Sequence, residues 1–287
     1  MSAHVALRHR TSYHYDRPVS LGPQTIRLHP REIGDRVVLT YELDVGPADG
    51  TVLWKTDGYD NTVAEAVFAG VMSRFDIEVR MTVDLSPYDP LECRSGQMAI
   101  LRREAERASY RMPVVNGPFP DDFLTPPESG ATAIPLDWLR GLNQRIASSL
   151  TYRTRFEPGV WSPVETLTRR SGSCRDSAWL FIALARRAGF AARFVSGYLV
   201  QNEDGNGGAL TCDLHAWAEV FVPERGWLGF DTTSGQIVAQ NHIALAVSAV
   251  PEEAAPVSGL LDRCQARFDV TMEARALPQP LQVSARA

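Results

Sequence analysis

Two periodicities run along this chain. In the first third, one side chain in two repeats in kind, the spacing of a strand with two unlike faces. His9, Thr11, Tyr13 and Tyr15 alternate with Arg8, Arg10, Ser12 and His14; Val37, Leu39, Tyr41, Leu43 and Val45 repeat the pattern. Phe75, Ile77, Val79, Met81, Val83 and Leu85 give its clearest form. Turn residues separate the runs at Pro18, Gly46-Pro47 and 57–61, so residues 1–87 are expected to form a small antiparallel β-sandwich. Helical spacing takes over later. Leu139, Leu142 and Ile146 share a face over 135–150, and Val164 and Leu167 mark a short helix over 163–170. Trp179, Ile182, Ala185 and Arg186 follow in a helix that begins at Ser173 or Cys174 and stops at Gly189. Alternation then returns over 192–199, 214–222 and 227–231, with further strands expected over 240–250 and 268–274. Helices followed by an antiparallel meander define an α+β class, with helices packed on an antiparallel sheet.

The segment between the two regions is punctuated by seven prolines from Pro87 to Pro127 and carries the charged run 101–107, a short surface helix with a solvated face. The expected organisation is therefore a β-sandwich over 1–87, a connector over 88–132 and an α+β core over 133–250. A C-terminal extension over 251–287 carries one strand. Pro126-Pro127-Glu128-Ser129-Gly130 is the expected boundary.

Composition narrows the class. A chain of 287 residues with 44% hydrophobic and 22% charged residues can bury a core unaided. Its net charge of −5 disfavours a nucleic-acid or membrane-surface partner. No apolar run approaches the roughly 20 residues that cross a bilayer, and no signal peptide is visible before Arg10. Cys93, Cys174, Cys212 and Cys264 contain no Cys-x-x-Cys pair, so reduced thiols and a cytoplasmic location are expected. His4, His9 and His14 are five apart, which puts successive members on opposite strand faces, so structural or solvated roles are expected of them. Cys212-x-x-His215 with Cys174 lacks a fourth ligand, so no metal is expected.

Cys174 is the residue with chemistry around it. Ser171-Gly172-Ser173 leads into it, and the helix that follows places the thiol in its first turn. There, unpaired N–H groups and the helix dipole favour an anion, the setting of a nucleophilic thiolate. Downstream, His215, Trp217 and Glu219 share one strand face, while Ala216, Ala218, Val220 and Val222 share the other, which suits a packed core. Asp231 ends the next strand, so a short turn makes His215 and Asp231 cross-strand neighbours. With Cys174 at that pair the result is Cys–His–Asp. The thiolate attacks a carbonyl carbon, the imidazole protonates the leaving amine, and the carboxylate fixes the imidazole tautomer. The Cys174 backbone N–H is one oxyanion donor; Tyr152 or Trp161 is the candidate for a second, and the pattern does not choose between them.

Gly172-Ser173-Cys174-Arg175-Asp176, Arg193-Phe194-Val195-Ser196-Gly197-Tyr198, His215-Ala216-Trp217-Ala218-Glu219-Val220 and Gly226-Trp227-Leu228-Gly229-Phe230-Asp231 together resemble the transglutaminase-like superfamily of cysteine enzymes. Tyr13-His14-Tyr15 and Arg27-Leu28-His29-Pro30-Arg31 resemble the β-rich region that precedes the core in bacterial members. The resemblance spans about residues 4–245. It implies a papain-like core with Cys174 as nucleophile, His215 as general base and acid, and Asp231 as its orienter. It implies no cofactor and shows no calcium-type acidic cluster. One departure is Asp231-Thr232-Thr233, where the family usually has Asp-Pro-Thr; a small change of turn is expected. Asp176, Trp217, Glu219 and Trp227 are expected to support the site, Asp176 by capping the helix or by pairing with Arg193. The expected activity is acyl transfer through a Cys174 thioester on a peptide or protein amide, with water as acceptor. An amine acceptor, giving cross-linking, and a non-enzymatic binding module on the same fold are the alternatives. Substrate identity and oligomeric state are not legible.

Overall fold

The computed structural model describes residues 4–31, 38–47, 50–92, 98–114, 135–202 and 209–278. In chain order its strands begin with β1 (His4–Val19), β2 (Leu21–Ile26), β3 (Val38–Gly46), β4 (Thr51–Thr56), β5 (Thr62–Val67) and β6 (Met72–Asp84). Helix α1 (Met98–Ala105) follows, then α2 (Pro135–Ser149), β7 (Thr151–Tyr152), α3 (Pro163–Arg169), β8 (Ser171–Gly172) and α4 (Cys174–Arg187). Next come β9 (Ala192–Asn202), β10 (Leu210–Val222), β11 (Gly226–Asp231), β12 (Gln236–Ile237) and β13 (His242–Ser248). Strands β14 (Val257–Leu261) and β15 (Ala266–Ala276) close the described chain. Two compact units result: Met1–Pro87 with Tyr198–Asp213 and Pro256–Ala287, and Tyr88–Gly197 with Leu214–Ala255.

The first unit is a β-sandwich. One antiparallel layer has the order β15-β1-β6-β3 and the other β14-β2-β5-β4. Alternation decides what is buried. Leu7, His9 and Thr11 of β1 pair with Met81, Val79 and Ile77 of β6, and all six are buried. Aromatic contacts join the layers: Tyr41 of β3 meets Trp54 of β4, and Phe68 lies edge-on to Phe75. His9 sits inside this layer with its ring nitrogens on the Tyr198 hydroxyl at 2.8 Å and Thr11 Oγ1 at 2.9 Å. Burial lowers it to about 4, so it is a neutral core histidine. His4 and His14 stand apart from it, 4.0 Å from Asp84 and 3.7 Å from Asp269 respectively.

The expectation of a C-terminal extension with one strand is corrected. Its described residues hold two, β14 and β15, and they pair with β2 and β1. Val-Ser-Gly-Leu-Leu in β14 has no alternation, and both of its leucines are exposed, so no periodicity announced it. The boundary expected at 126–130 lies outside the described residues.

The second unit packs helices on an antiparallel sheet of order β12-β11-β10-β9-β13. Helix α4 is its centre. Leu180, Phe181, Ile182, Ala183, Leu184 and Ala185 are all buried, so the helix is covered on nearly every side rather than along one stripe. Leu139, Leu142 and Ile146 of α2 cover one flank. Ala216, Ala218, Val220 and Val222 of β10 cover another, the apolar face read from alternation. Phe181 stacks on Phe230 at 5.1 Å. Each buried leucine or phenylalanine here contributes about 1.5–3 kcal/mol, which holds the first turn of α4 in a fixed place on the sheet. The charges of α1 correct a second expectation, because they are not simply solvated. Glu104 accepts from Arg193 and from Trp227 Nε1, a tertiary pairing that the local run of charge does not reveal.

Candidate functional site

The site is built from the start of α4. Strands β7 and β8 pair in parallel, Tyr152 opposite Gly172, and deliver the chain to Ser173 at the N-cap in an extended conformation. Gly172 is needed for this approach, because a Cβ there would lie 2.9 Å from Asp176 Cβ. Asp176, three residues past the cap, accepts from Ser173 N at 2.8 Å and Ser173 Oγ at 2.7 Å. The same carboxylate accepts from Trp161 N at 2.8 Å and from Arg155 Nη1 at 2.7 Å on both oxygens. Burial would raise Asp176, but these donors outweigh it and hold the carboxyl below its usual range. One buried aspartate therefore pins both the first turn of α4 and the loop before it. Cys174 opens this turn and is half-buried.

The second half of the site stands on β10, β11 and β13. The β10–β11 register runs to Ala218 opposite Phe230, so one step further sets Asp231 opposite Trp217, with His215 two positions beyond on the same face. The contact is diagonal. His215 Nε2 lies 3.2 Å from Asp231 Oδ1, and both residues are buried. Ionised carboxylate oxygens only accept, so Nε2 carries the hydrogen and Nδ1 is left for the other partner, the Cys174 thiol. Burial lowers His215, yet hydrogen bonds and charge from Asp231 and Cys174 overcome it and raise the imidazole to about 10. For Asp231 the burial effect is likewise outweighed, and the donors around it hold it far below the carboxylate range.

Asp231 has more partners than alternation suggested. His242 Nε2 lies 3.4 Å from Oδ2, Ser234 Oγ donates to Oδ2 at 3.0 Å, and Thr233 donates to Oδ1 through N at 2.9 Å and Oγ1 at 2.8 Å. The turn expected to change with the Asp-Thr-Thr departure makes a bond that proline could not. Thr232 Oγ1 donates to Ser177 Oγ at 2.7 Å, and Ser177 Oγ in turn reaches the carbonyl of Cys174 at 3.1 Å. This chain ties the end of β11 to the first turn of α4. Trp217 packs edge-on to His242 at 5.2 Å and tilted to His215 at 6.4 Å. Gly197 makes room for it, since a Cβ there would run into the Trp217 ring and the Ile243 carbonyl.

His215, Asp231 and His242 bring three possible metal-ligand atoms within 4.8 Å of one another. The donor set favours hydrogen bonds instead. Asp231 already receives five donors against roughly four lone-pair directions, and both imidazoles point an N–H at it. Cys212 and His215 are three apart on β10, an odd step that turns them to opposite faces. Burial pushes the Cys212 thiol up to about 12, away from the thiolate a zinc ligand needs.

The remaining expected residues lie as follows. The guanidinium groups of Arg155 and Arg169 lie over the Trp161 ring, 4.0 Å and 4.5 Å from its centroid, and Tyr152 is 54% exposed. Glu219 pairs with Arg193 at 2.7 Å, and Trp227 lies 4.0 Å beneath the same guanidinium. These two belong to a network around Arg193 and Glu104 rather than to the His215–Asp231 pair. Asp176 caps its helix and pairs with Arg155, not Arg193. His242 and Arg155 were not legible in the sequence, and Thr232 was visible there only as a departure from the family's Asp-Pro-Thr.

Fold and geometry together define a papain-like α+β protein whose central helix opens on a cysteine. Residues 129–232 match the transglutaminase-like superfamily, and residues 5–84 match the bacterial transglutaminase-like N-terminal region. Uncharacterised proteins of Mycobacterium tuberculosis and Mycobacterium bovis are each 31% identical over 274 residues, 88% of this chain and 86% of theirs. A protein-glutamine gamma-glutamyltransferase of Pseudomonas aeruginosa is 31% identical over 121 residues, 37% of this chain and 18% of that one. In fold, the chain resembles a proposed cysteine protease of Cytophaga hutchinsonii, with a TM-score of 0.64, 17% identity and coverage of 98% of this chain and 92% of that one. The chain belongs to the transglutaminase-like superfamily, a family of cysteine-based enzymes.

Proposed function

We propose that the chain is a cysteine-dependent acyl-transfer enzyme that acts on peptide or side-chain amides through a thioester at Cys174, with water as the usual acceptor. The observation that carries this reading is one imidazole, His215, bonded through Nε2 to buried Asp231 and interacting with the thiol at the opening of α4. In the resting pair the Cys174 proton has passed to His215 Nδ1, and the thiolate sulfur attacks the carbonyl carbon. The electrostatics that raise His215 favour the imidazolium so formed. His215 then returns the proton to the leaving amine as the C–N bond breaks, and the acyl group remains on sulfur. Water, deprotonated by His215, attacks the thioester and releases the acid and the free thiol. Asp231 stays ionised throughout and holds the ring so that Nδ1 faces sulfur. An amine in place of water would give a new amide by the same steps; the local similarity to a protein-glutamine gamma-glutamyltransferase favours keeping that second reading.

The test is turnover of a peptide library by the purified protein, with and without added primary amine, beside Cys174→Ala. Wild type is expected to release acid and amine products, and Cys174→Ala to release none with little change in melting temperature. Equal turnover by the two proteins would remove Cys174 from the mechanism. New amide formed faster than acid on adding amine would make cross-linking the primary reaction.

A further inference from the structure

The mechanism leaves one buried polar group at the site without a task. His242, on β13, sets its Nε2 3.4 Å from Asp231 Oδ2, the oxygen that His215 does not use. Its ring centroid is 5.8 Å from that of His215, and both rings pack against Trp217. A carboxylate bonded at one oxygen can swing about its Cβ–Cγ bond and carry its imidazole partner with it. A donor on each oxygen fixes the plane. Thr233 steadies Oδ1 from the turn, and Ser234 and His242 steady Oδ2; of these donors only His242 comes from another strand. Every residue of β13 is buried, so its imidazole is not an exposed side chain that met the carboxylate by chance.

We infer that His242 is a positioning residue: its Nε2–H clamps the second oxygen of Asp231, and so keeps Oδ1 on His215 and the His215 ring turned toward Cys174. This inference rests on the proposed reading of Cys174, His215 and Asp231. The titratable side chains set against His242 among the described residues include Asp231 and His215, with Cys174 beyond His215. What matters is the donated hydrogen at the Nε2 position, not the imidazole as a base. Glutamine can place an amide N–H near that point, whereas phenylalanine keeps the ring and loses the donor.

The experiment is the rate of Cys174 alkylation by iodoacetamide from pH 5 to 10, read by mass spectrometry of the peptide that contains it, with melting temperatures recorded alongside. It is run on wild type, His242→Phe and His242→Gln. His242→Phe is expected to slow labelling at pH 7 about tenfold and move its pH profile toward alkaline values, the effect of losing one charge-assisted hydrogen bond. His242→Gln is expected to restore most of the rate and the profile. If the phenylalanine variant does not fold, His242→Met supplies the donor-free arm. A donor-free variant with the wild-type profile, or a folded glutamine variant as slow as the donor-free one, overturns the inference. Wild-type labelling that does not favour Cys174 at pH 7 would instead overturn the functional reading beneath it, so the two failures are told apart.

Discussion

His215 and His9 are both histidines buried in this chain, 9% and 3% exposed, yet their environments push them in opposite directions. His9 has neutral partners, Thr11 and Tyr198, and burial lowers it to about 4. His215 has Asp231 and Cys174 and is raised to about 10. The gap corresponds to about 8 kcal/mol, at about 1.4 kcal/mol per unit, and has to come from those two partners. Removing both should therefore leave His215 in the condition of His9. The perturbation is Asp231→Asn in a Cys174→Ala background, and the assay is the NMR titration of the His215 ring. Cys174→Ala alone keeps the carboxylate, so His215 is expected to titrate well above its ordinary 6.5. Adding Asp231→Asn leaves burial unopposed, and the ring is expected to titrate below 6.5. An unchanged His215 titration on adding Asp231→Asn would refute the reasoning, because the carboxylate would then not be what holds the charge.

Other outcomes follow from the same contacts. Asp231 and Asp176 are both held below the carboxylate range, so each stabilises the fold above about pH 4 and loses that contribution as pH falls. His215 is raised to about 10, so its contribution is complete below about 6.5 and is lost as pH rises through about 10. Urea unfolding is expected to weaken at both ends, with Asp231→Asn flattening the acid limb. Asp176→Ala removes the buried carboxylate of the mostly buried Arg155, leaving exposed Glu157 at 3.8 Å, and is expected to cost about 3 kcal/mol and to open residues 153–161 to limited proteolysis. Gly197→Ala drives a methyl into Trp217 and the Ile243 carbonyl, with an expected loss of about 1–3 kcal/mol in urea unfolding and altered Trp217 fluorescence.

Strands β1 and β6 were legible because each alternates buried with more exposed positions, β3 because half-buried positions alternate with exposed ones over most of its length, and α4 because a Ser-x-x-Asp start and Gly189 bracket it. Strand β2 was not, since Leu-Gly-Pro-Gln-Thr-Ile opens on a glycine–proline pair, the signature of a turn. Nor was β4, whose residues are almost all exposed. At the site, His215 and Asp231 could be paired from alternation and a short turn, though the register makes the contact diagonal rather than directly opposite. His242 could not be read. Every position of β13 is buried, so no alternation tells which face its first residue takes, and its partner is set by the pairing of β13 with β9. Arg155 sits in a polar loop whose only link to Asp176 is through folded space. The Thr232 hydroxyl was visible as a departure from the family pattern, but its bond to Ser177 depends on where α4 packs.

The central claim is that Cys174 becomes acylated. Mass spectrometry of the protein quenched during reaction with an activated peptide ester at pH 7 tests it most directly. The acyl mass is expected on the peptide that contains Cys174, with hydroxylamine removing it and His215→Ala greatly slowing its formation. Acylation confined to other residues, or formed at the same rate without His215, would contradict the account.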